Sequence, residues 1–525
     1  MQFVAGKQVL SPTPPFVPLA QSLPFELLSE IFSICLHNFS SDSDSLRPDH
    51  PPWTFAKVCR HWRAVCLSSP LLWVRFPRLN TNSENSRNDA FRGLLRTSLE
   101  LSNPAPYKLH LTTYSHPDQD WELPPLLSDL LPYIDRCEEL TIAMNEYIIE
   151  KLHQLQWKLN TLCILSLRFY GPSRDFDTGS TPKLTIFDKD VPCLESVTVE
   201  LVPHSSSYHF TIPTLFKFDY IRLPWGQLTS FSAIYFSNHS ALEALRNAPM
   251  LRECSFTGMW DAPLPSITVS ETSANPLQPV IHRRLRSLAL QKIGAVFGGD
   301  INPFPTFLSQ LTAPKLLKLK ITVGLLREHY AAHVLAFIER SSCSLISLTL
   351  HAENARHHLT QILSLIPRLR DLEICYIGSD DLSKIRLQGS DPLIPHLRHL
   401  TLIKPSVKAD DLDFFISSRT DNTLFGTPDL PSSPPHGPSW EISPQPLESL
   451  VIHFADEPKH SFERDDRTRR AIHYELEGWD GMPRQDQAFQ RVLTWKRSLE
   501  ALELQMKSTG SENSERVLES VQLII

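Results

Sequence analysis

The sequence predicts an α/β protein in which a short helical unit at the amino terminus precedes a long array of strand–helix repeats. Two observations carry this prediction. Near the amino terminus, apolar residues recur at the three- and four-residue spacing of short amphipathic helices. Further along, a triplet of apolar residues with one internal spacing recurs down most of the 525-residue chain. Recurrence of that kind is the signature of stacked repeats.

The helical unit is predicted over residues 21–77 and opens with an amphipathic helix. Pro24 suits the first turn of this helix, where a missing N–H costs nothing. Glu26 and Glu30 lie on its polar face. The apolar stripe at helical spacing comprises Leu27, Leu28, Ile31, Phe32 and Cys35.

Two more short helices follow an insertion over residues 38–52, which is rich in Ser, Asp and Pro and is expected to be a solvated loop. The second helix repeats the apolar pattern with Phe55, Val58, Cys59, Trp62 and Cys66. Ser69-Pro70 is a start signal for a third helix that carries Leu72 and Trp73. Because a unit this small buries little core, its remaining apolar surface indicates a docking face.

Taken in order, these residues resemble an F-box. The family pattern begins Leu-Pro, continues with Glu-x-Leu and Ile, and ends with Val-Cys-x-x-Trp-Arg and Pro-x-Leu-Trp. The corresponding residues are Leu23-Pro24, Glu26-Leu27-Leu28, Ile31, Val58-Cys59-Arg60-His61-Trp62-Arg63 and Pro70-Leu71-Leu72-Trp73. The alternative interpretation is an ordinary small helical core with Trp62 and Trp73 packed inside.

The resemblance implies that the helical unit binds a Skp-type adaptor. The adaptor-facing residues carried over from the family are Leu23, Pro24, Leu27, Leu28, Ile31, Val58, Cys59 and Trp62. Some members of this set are expected to support the small core instead. Trp73 is expected to lie in the core, outside the set.

Over residues 105–507, the repeated triplet places one apolar residue, a second three positions later and a third two positions after that. The copies are Cys137/Leu140/Ile142, Leu162/Leu165/Leu167, Leu194/Val197/Val199, Leu215/Phe218/Tyr220, Leu251/Cys254/Phe256, Leu285/Leu288/Leu290, Leu316/Leu319/Ile321, Leu345/Leu348/Leu350, Leu369/Leu372/Ile374, Leu397/Leu400/Leu402, Leu447/Leu450/Ile452 and a weaker Leu499/Leu502/Leu504. Their loose period of roughly 30 residues is typical of leucine-rich repeats. The last two residues of each triplet point to one side of a strand, because side chains alternate with a period of two.

Helical stretches separate the triplets, among them residues 241–248, 330–340 and 357–366. Several triplets have Pro two positions before their first apolar residue, where it ends the preceding helix and favours extended backbone. These are Pro192, Pro213, Pro249, Pro314, Pro367 and Pro395. Each repeat is therefore predicted as helix, Pro stop, strand and loop.

This region resembles the leucine-rich repeats that follow the F-box in many fungal F-box proteins. The resemblance implies an irregular leucine-rich-repeat solenoid, with parallel strands on the concave face and helices on the convex face. The alternative is a non-repeat α/β domain whose strands are rich in Leu.

Composition divides the rest of the chain into segments outside the repeats. Residues 1–20 are predicted to be disordered because they are rich in Pro, and residues 78–104 to form a linker and a helix. Two insertions are predicted within the repeats, a Pro-rich disordered one over residues 420–446 and a charged one over residues 455–470. A helix is predicted over residues 485–496, and residues 508–525 form a tail.

Charge and cysteine content restrict the partners and the compartment. The formal net charge of −7 argues against a general nucleic-acid binder. No apolar stretch has the length of a membrane span, and the amino terminus lacks the layout of a signal peptide. Reduced, buried thiols are expected at Cys137, Cys163, Cys193, Cys254, Cys343 and Cys375. The sequence thus indicates a cytoplasmic or nuclear protein without a membrane partner.

We find no catalytic motif, no cofactor motif and no metal-ligand spacing in the sequence. Phe297-Gly298-Gly299-Asp300 lacks the glycine spacing and the lysine of a phosphate loop. His351, His357 and His358 have no Cys or carboxylate at ligand spacing, so a solvated helix face explains them better. The sequence therefore predicts a protein that is not an enzyme.

Together the two resemblances imply a substrate-receptor subunit of an SCF-type cullin–RING ubiquitin ligase. Its F-box would bind the Skp-type adaptor, and its solenoid an unidentified protein substrate. The alternative is an interaction scaffold without a ligase role. The expected substrate-facing residues alternate with the buried positions of four strands: Lys318, Lys320, Ser347, Thr349, His351, Asp371, Glu373, His399 and Thr401. The insertion at 420–446 or the carboxyl terminus could bind the substrate instead.

Overall fold

The structure is a computed structural model that describes residues 23–38, 46–81, 88–113, 125–145, 148, 152, 157–170, 187, 191–202, 222–259, 279–292, 304–323, 330–351, 356–385, 393–403, 405, 407, 409–420, 447, 449–453 and 521–524. The chain divides into two compact units, Met1–Ser206 with Asp219–Pro224, and Ser207–Phe218 with Trp225–Ile525. Several predicted segments lie outside the described residues: 1–20, 421–446, 455–470, the helix at 485–496 and the triplets that begin at Leu215 and Leu499.

The first unit opens with short helices. They are α1 (Phe25–Asn38), α2 (Phe55–Val58), α3 (Arg60–Ser68) and a 3₁₀ helix (Pro70–Trp73). The predicted second helix is in fact two, because Cys59 between α2 and α3 has extended backbone at φ −158° and ψ 173°. Its sulfur caps α3 by accepting a hydrogen bond from the backbone N–H of Trp62.

A parallel sheet completes the first unit. Its elements are β1 (Leu79–Asn80), α4 (Asp89–Leu101), β2 (Tyr107–Thr113), α5 (Pro125–Leu130), a second 3₁₀ helix (Leu131–Arg136), β3 (Cys137–Met144), β4 (Ile164–Tyr170) and β5 (Ser196–Val202). The strands pair in chain order from β1 to β5. Leu101 of α4 packs against the core of the helical region, which joins α4 to that region.

The second unit alternates strands with helices. Its elements are β6 (Ser230–Ile234), α6 (Asn238–Asn247), β7 (Glu253–Thr257), β8 (Val280–Ile281), β9 (Ser287–Gln291), α7 (Phe304–Gln310), β10 (Leu311–Thr312), β11 (Lys318–Thr322), α8 (Tyr330–Ser341), β12 (Ser347–His351), α9 (Arg356–Ser364), β13 (Asp371–Cys375), α10 (Ser379–Lys384), β14 (His399–Ile403), α11 (Ala409–Thr420), β15 (Ser449–His453) and β16 (Val521–Ile524). The parallel ladder runs β6-β7-β9-β11-β12-β13-β14-β15-β16, and β8 pairs with β10 in a separate small sheet. The predicted mixed α/β class with a large parallel sheet is confirmed.

The apolar triplets supply core residues in both units, as predicted. In every described copy, from the one at Cys137 to the one at Leu447, all members are buried. The Pro residues act through a tight turn. In Ala248–Leu251, Ala313–Leu316 and Ile366–Leu369, the first carbonyl accepts a hydrogen bond from the N–H of the triplet's first Leu. Pro at the second position of such a turn supplies the required φ and directs the chain into the next strand.

Three segments differ from the sequence prediction. Leu79–Asn80 is an edge strand where a linker was expected, and Val521–Ile524 pairs with β15 inside the predicted tail. In the insertion over residues 38–52, Leu46 is buried, so this part of the insertion is packed rather than fully solvated. A buried apolar anchor of this kind has no periodic signal, because it lies outside any helix or strand pattern.

Among the described residues, no helix is long and apolar enough to cross a membrane.

Candidate interaction surfaces

The stripe of α1 divides into an inner and an outer row. The inner row, Leu28, Phe32 and Leu36, is buried. The ring of Phe32 stacks on Phe55 with 4.5 Å between centroids and meets the edge of Trp62 at 4.9 Å. These contacts form the core of the helical region. The outer row therefore has no role in that core.

The outer row consists of Leu27, Ile31 and Ile34, which we call the outer stripe. Their spacing of four and three residues places them one above another on the exposed side of α1. Leu27 is 54% exposed, Ile31 43% and Ile34 53%. Val58, on α2, is 59% exposed. The helical region as a whole, from α1 to the first 3₁₀ helix, contributes most of the large apolar side chains that are exposed among the described residues.

The predicted adaptor-facing residues are not all on the surface. Pro24, Leu27, Ile31 and Val58 are exposed. Leu23, Cys59 and Trp62 are half-buried. Leu28 is only 1% exposed and belongs to the core, so it is one of the members of the set that support the core instead. Ile34 was missed, although its position seven residues after Leu27 places it on the same helix face.

The structure holds Cys59 and Trp62 in structural contacts. Cys59 caps α3, and Trp62 packs against Phe32. Trp73 lies in the core as predicted, and its indole N–H donates to the carbonyl oxygen of Cys66 at 2.8 Å. The imidazole Nε2 of His61 lies 3.1 Å from the carbonyl oxygen of Leu23, which ties the start of α1 to α3.

The second candidate surface is the polar side of β11 to β14, which we call the polar face. Parallel register aligns its members in two rows across the strands. The first row is Lys318, Ser347, Asp371 and His399, and the second is Lys320, Thr349, Glu373 and Thr401. His351 lies beyond the second row, at the end of β12. The sequence-predicted residues are thus brought together on neighbouring strands.

Glu373 is the centre of the contacts on the polar face. Its Oε1 lies 2.6 Å from Nε2 of His351, and its Oε2 accepts a hydrogen bond from the Thr349 hydroxyl at 3.3 Å. The hydrogen bond from His351 is the main cause that holds the pKa of Glu373 below its usual range, and the positive charge of Lys320 contributes. In the first row, Nε2 of His399 lies 3.9 Å from Oδ1 of Asp371.

The polar face is less open than the sequence predicts. Lys318, Lys320 and His399 are exposed, whereas Ser347, His351, Asp371, Glu373 and Thr401 are half-buried. Thr349 is only 8% exposed, which corrects its assignment as a solvent-facing residue. Its hydroxyl donates a hydrogen bond to the Glu373 carboxylate.

The contacts on the polar face run from Thr349 through Glu373 to His351. The Glu373 carboxylate accepts the hydrogen bond of the Thr349 hydroxyl on one oxygen and contacts the imidazole with the other. Because Thr349 is only 8% exposed, its hydroxyl offers little surface to a substrate. Among the described residues, no group of three or more His, Cys, Asp or Glu side chains is arranged to hold a metal ion.

The cysteines are free thiols, and their burial varies. Cys137, Cys254, Cys343 and Cys375 are buried as predicted, but Cys163 is half-buried and Cys193 is exposed. Burial raises the pKa of Cys137 to about 12 and that of Cys343 to about 11. Such thiols are poor nucleophiles, since the thiolate is the reactive form.

A scan of the chain against models of known protein families gives no match, and a search of curated proteins gives none.

Proposed function

We propose that this protein is a substrate-receptor subunit of an SCF-type cullin–RING ubiquitin ligase. In this proposal, residues 21–77 are an F-box that binds a Skp-type adaptor. The strand–helix repeats are an irregular leucine-rich-repeat solenoid that binds the protein to be ubiquitinated. Catalysis belongs to other subunits. This chain is not an enzyme but links the target protein to those subunits.

The outer stripe is the observation that carries the proposal. The helical region packs its core with Leu28, Phe32 and Trp73, yet it leaves Leu27, Ile31 and Ile34 exposed on one side of α1. Exposed apolar residues at this spacing are typical of a helix that docks against a partner. The stripe also coincides with residues on which the F-box resemblance rests, namely Leu27 and Ile31.

The polar face supports the second half of the proposal. Stacked repeats present the outward side chains of successive strands as one extended surface, which such proteins use for binding. The residues here change from strand to strand, from Lys318 through Ser347 to Asp371. A varied row of this kind can distinguish one protein partner from another, because specificity depends on complementary charges and hydrogen bonds.

Affinity purification tests the proposal. The tagged full chain is compared with Ile31→Glu, which places a charge on the outer stripe, and with Ile281→Glu, a matched change at another exposed Ile. The proposal expects the Skp-type adaptor and cullin to co-purify with the wild type and Ile281→Glu but not with Ile31→Glu. Adaptor without cullin would identify an interaction scaffold, and loss of the adaptor from all three would contradict the F-box assignment.

A further inference from the structure

The strands of the second unit begin beside a concentration of positive charge. Because parallel strands start at the same edge of a sheet, the residues that lead into β7, β9, β11, β12, β13 and β14 lie side by side. These lead-in segments are residues 249–253, 282–287, 313–318, 343–347, 366–371 and 394–399. Their cations, which we call the basic edge, are Arg252, Arg283, Arg284, Arg286, Lys315, Lys318, Arg368, Arg370 and Arg398.

The segments that form the basic edge contain few acidic residues. The same segments contain only two carboxylates, Glu253 and Asp371, and Asp371 is already beside His399. This excess contrasts with the net charge of −7 for the whole chain. All members except Arg398 are exposed. Within the described residues, no ion pair joins these exposed cations to a carboxylate.

Backbone hydrogen bonds hold the lead-in segments of neighbouring strands against one another. The N–H of Arg286 donates to the carbonyl oxygen of Arg252 at 2.8 Å, and that of Arg398 donates to the carbonyl oxygen of Arg370 at 2.8 Å. Neighbouring strands therefore bring two pairs of Arg to the same level of the sheet. Burial and the charges of Arg370, Arg368 and Arg398 lower the pKa of His396, which is consistent with a positive surrounding.

Like charges held side by side repel one another, so a ligand with negative charge gains from binding there. The six strands span roughly 24 Å at about 4.8 Å per strand, which matches about seven residues of extended peptide. None of the lead-in segments contains Phe, Tyr or Trp, the residues on which single-stranded nucleic acid stacks. The negative charge of the whole chain also opposes a long polyanion. These features favour a short acidic peptide over nucleic acid.

We propose that the basic edge binds an extended acidic segment, rich in Asp and Glu, of a partner protein. Guanidinium groups suit this partner because they form paired hydrogen bonds with carboxylates. The inference deepens the proposed function, since the acidic segment would belong to the protein targeted for ubiquitination. It rests on the proposal that the strand–helix repeats bind the target protein. It is independent of the contact between the outer stripe and the Skp-type adaptor.

A fluorescein-labelled deca-glutamate peptide, titrated with the full chain and followed by anisotropy, tests this proposal. The variant Arg286→Gln with Arg370→Gln removes two cations from the basic edge. The control Arg246→Gln with Lys384→Gln removes two exposed cations from α6 and α10. We expect the basic-edge variant to bind about tenfold more weakly or worse, the control to match the wild type, and added salt to weaken all binding.

Three results would overturn the proposal. The first is equal binding by the basic-edge variant and the control, and the second is no binding by the wild type. The third is tighter binding of a single-stranded oligonucleotide of equal charge, which would assign the basic edge to nucleic acid. The variant Leu27→Ala with Ile31→Ala should bind the peptide normally, so failure of the adaptor contact remains distinguishable from failure at the basic edge.

Discussion

Nε2 of His351 on β12 lies 2.6 Å from Oε1 of Glu373 on the neighbouring strand β13. This contact joins two half-buried residues on adjacent strands, and the Thr349 hydroxyl donates to the other carboxylate oxygen. Ionised Glu373 therefore receives two hydrogen bonds in the folded chain. Its pKa is lowered relative to the ordinary value of 4.5.

The lowered pKa predicts the pH dependence of a Glu373→Gln variant. The stabilisation from ionised Glu373 is fully present above pH 4.5 and is lost as the pH falls through the lowered pKa. The substitution should reduce the free energy of unfolding by an amount on the order of 1 kcal/mol at pH 7. The reduction is small because solvent screens the contact between Glu373 and His351. Urea titrations should give a smaller reduction at pH values below 4.5.

The His351→Gln background provides the control for this effect. Without the imidazole, the pH-dependent part of the Glu373→Gln effect should shrink, because the main cause of the shifted pKa is absent. An identical loss of stability at pH 7 and below pH 4.5 would contradict the assigned role of Glu373.

The division of α1 into two rows predicts opposite consequences for neighbouring leucines. Leu28→Ala should lower the free energy of unfolding by about 2–5 kcal/mol, because it opens a cavity beside Phe32. Leu27→Ala should change it by less than about 0.5 kcal/mol, since Leu27 is exposed. Urea unfolding measures both. Equal destabilisation by the two variants would mean that the outer stripe is part of the core.

The buried Arg419 predicts a third stability effect, in the second unit. Its buried guanidinium donates to the carbonyl oxygens of Ile394 at 3.0 Å and Ile385 at 2.8 Å, and burial lowers its pKa to about 10. Arg419→Met should destabilise the unit by about 2–4 kcal/mol, because two carbonyls lose their donor. The matched change Arg368→Met, at an exposed Arg before β13, should have little effect in the same thermal unfolding assay.

The thiols predict an order of reactivity and the absence of thioester chemistry. Cys193 is exposed, so it should react first with a maleimide at about pH 7.5. Cys343 should react slowly, because burial raises its pKa to about 11. Incubation with a charged ubiquitin-conjugating enzyme should leave no ubiquitin thioester on the chain. Mass spectrometry checks both results, and a thioester on Cys59 or Cys343 would contradict the adaptor role.

Much of the sheet could be predicted because its signal is local. A residue pair at spacing two identifies the buried side of a strand, and the preceding Leu and Pro locate its start. The strand β6 was missed although Leu228, Phe231 and Ala233 have the same spacing. Its third position is Ala, which contributes a weak apolar signal.

The surfaces were less predictable because exposure depends on distant contacts. The apolar arc of α1 is wide enough to serve two partners, and only the positions of Phe55 and Trp62 show that Leu28 and Phe32 face the core. Thr349 has the spacing of an outward-facing strand residue, yet it is buried and hydrogen-bonds to Glu373 of the next strand. The basic edge was missed because its members are far apart in sequence and meet only through parallel pairing.

The outer stripe as an adaptor-binding surface is the central claim, and a binding measurement tests it most directly. Isothermal titration of purified Skp-type adaptor compares the wild type with Leu27→Ala/Ile31→Ala and with Ile281→Ala/Leu365→Ala, which truncates the same two residue types at exposed positions of the second unit. The account predicts that the outer-stripe variant loses more than about 2 kcal/mol of binding free energy while remaining folded, and that the control binds normally. Undiminished adaptor binding by a folded Leu27→Ala/Ile31→Ala variant would contradict it.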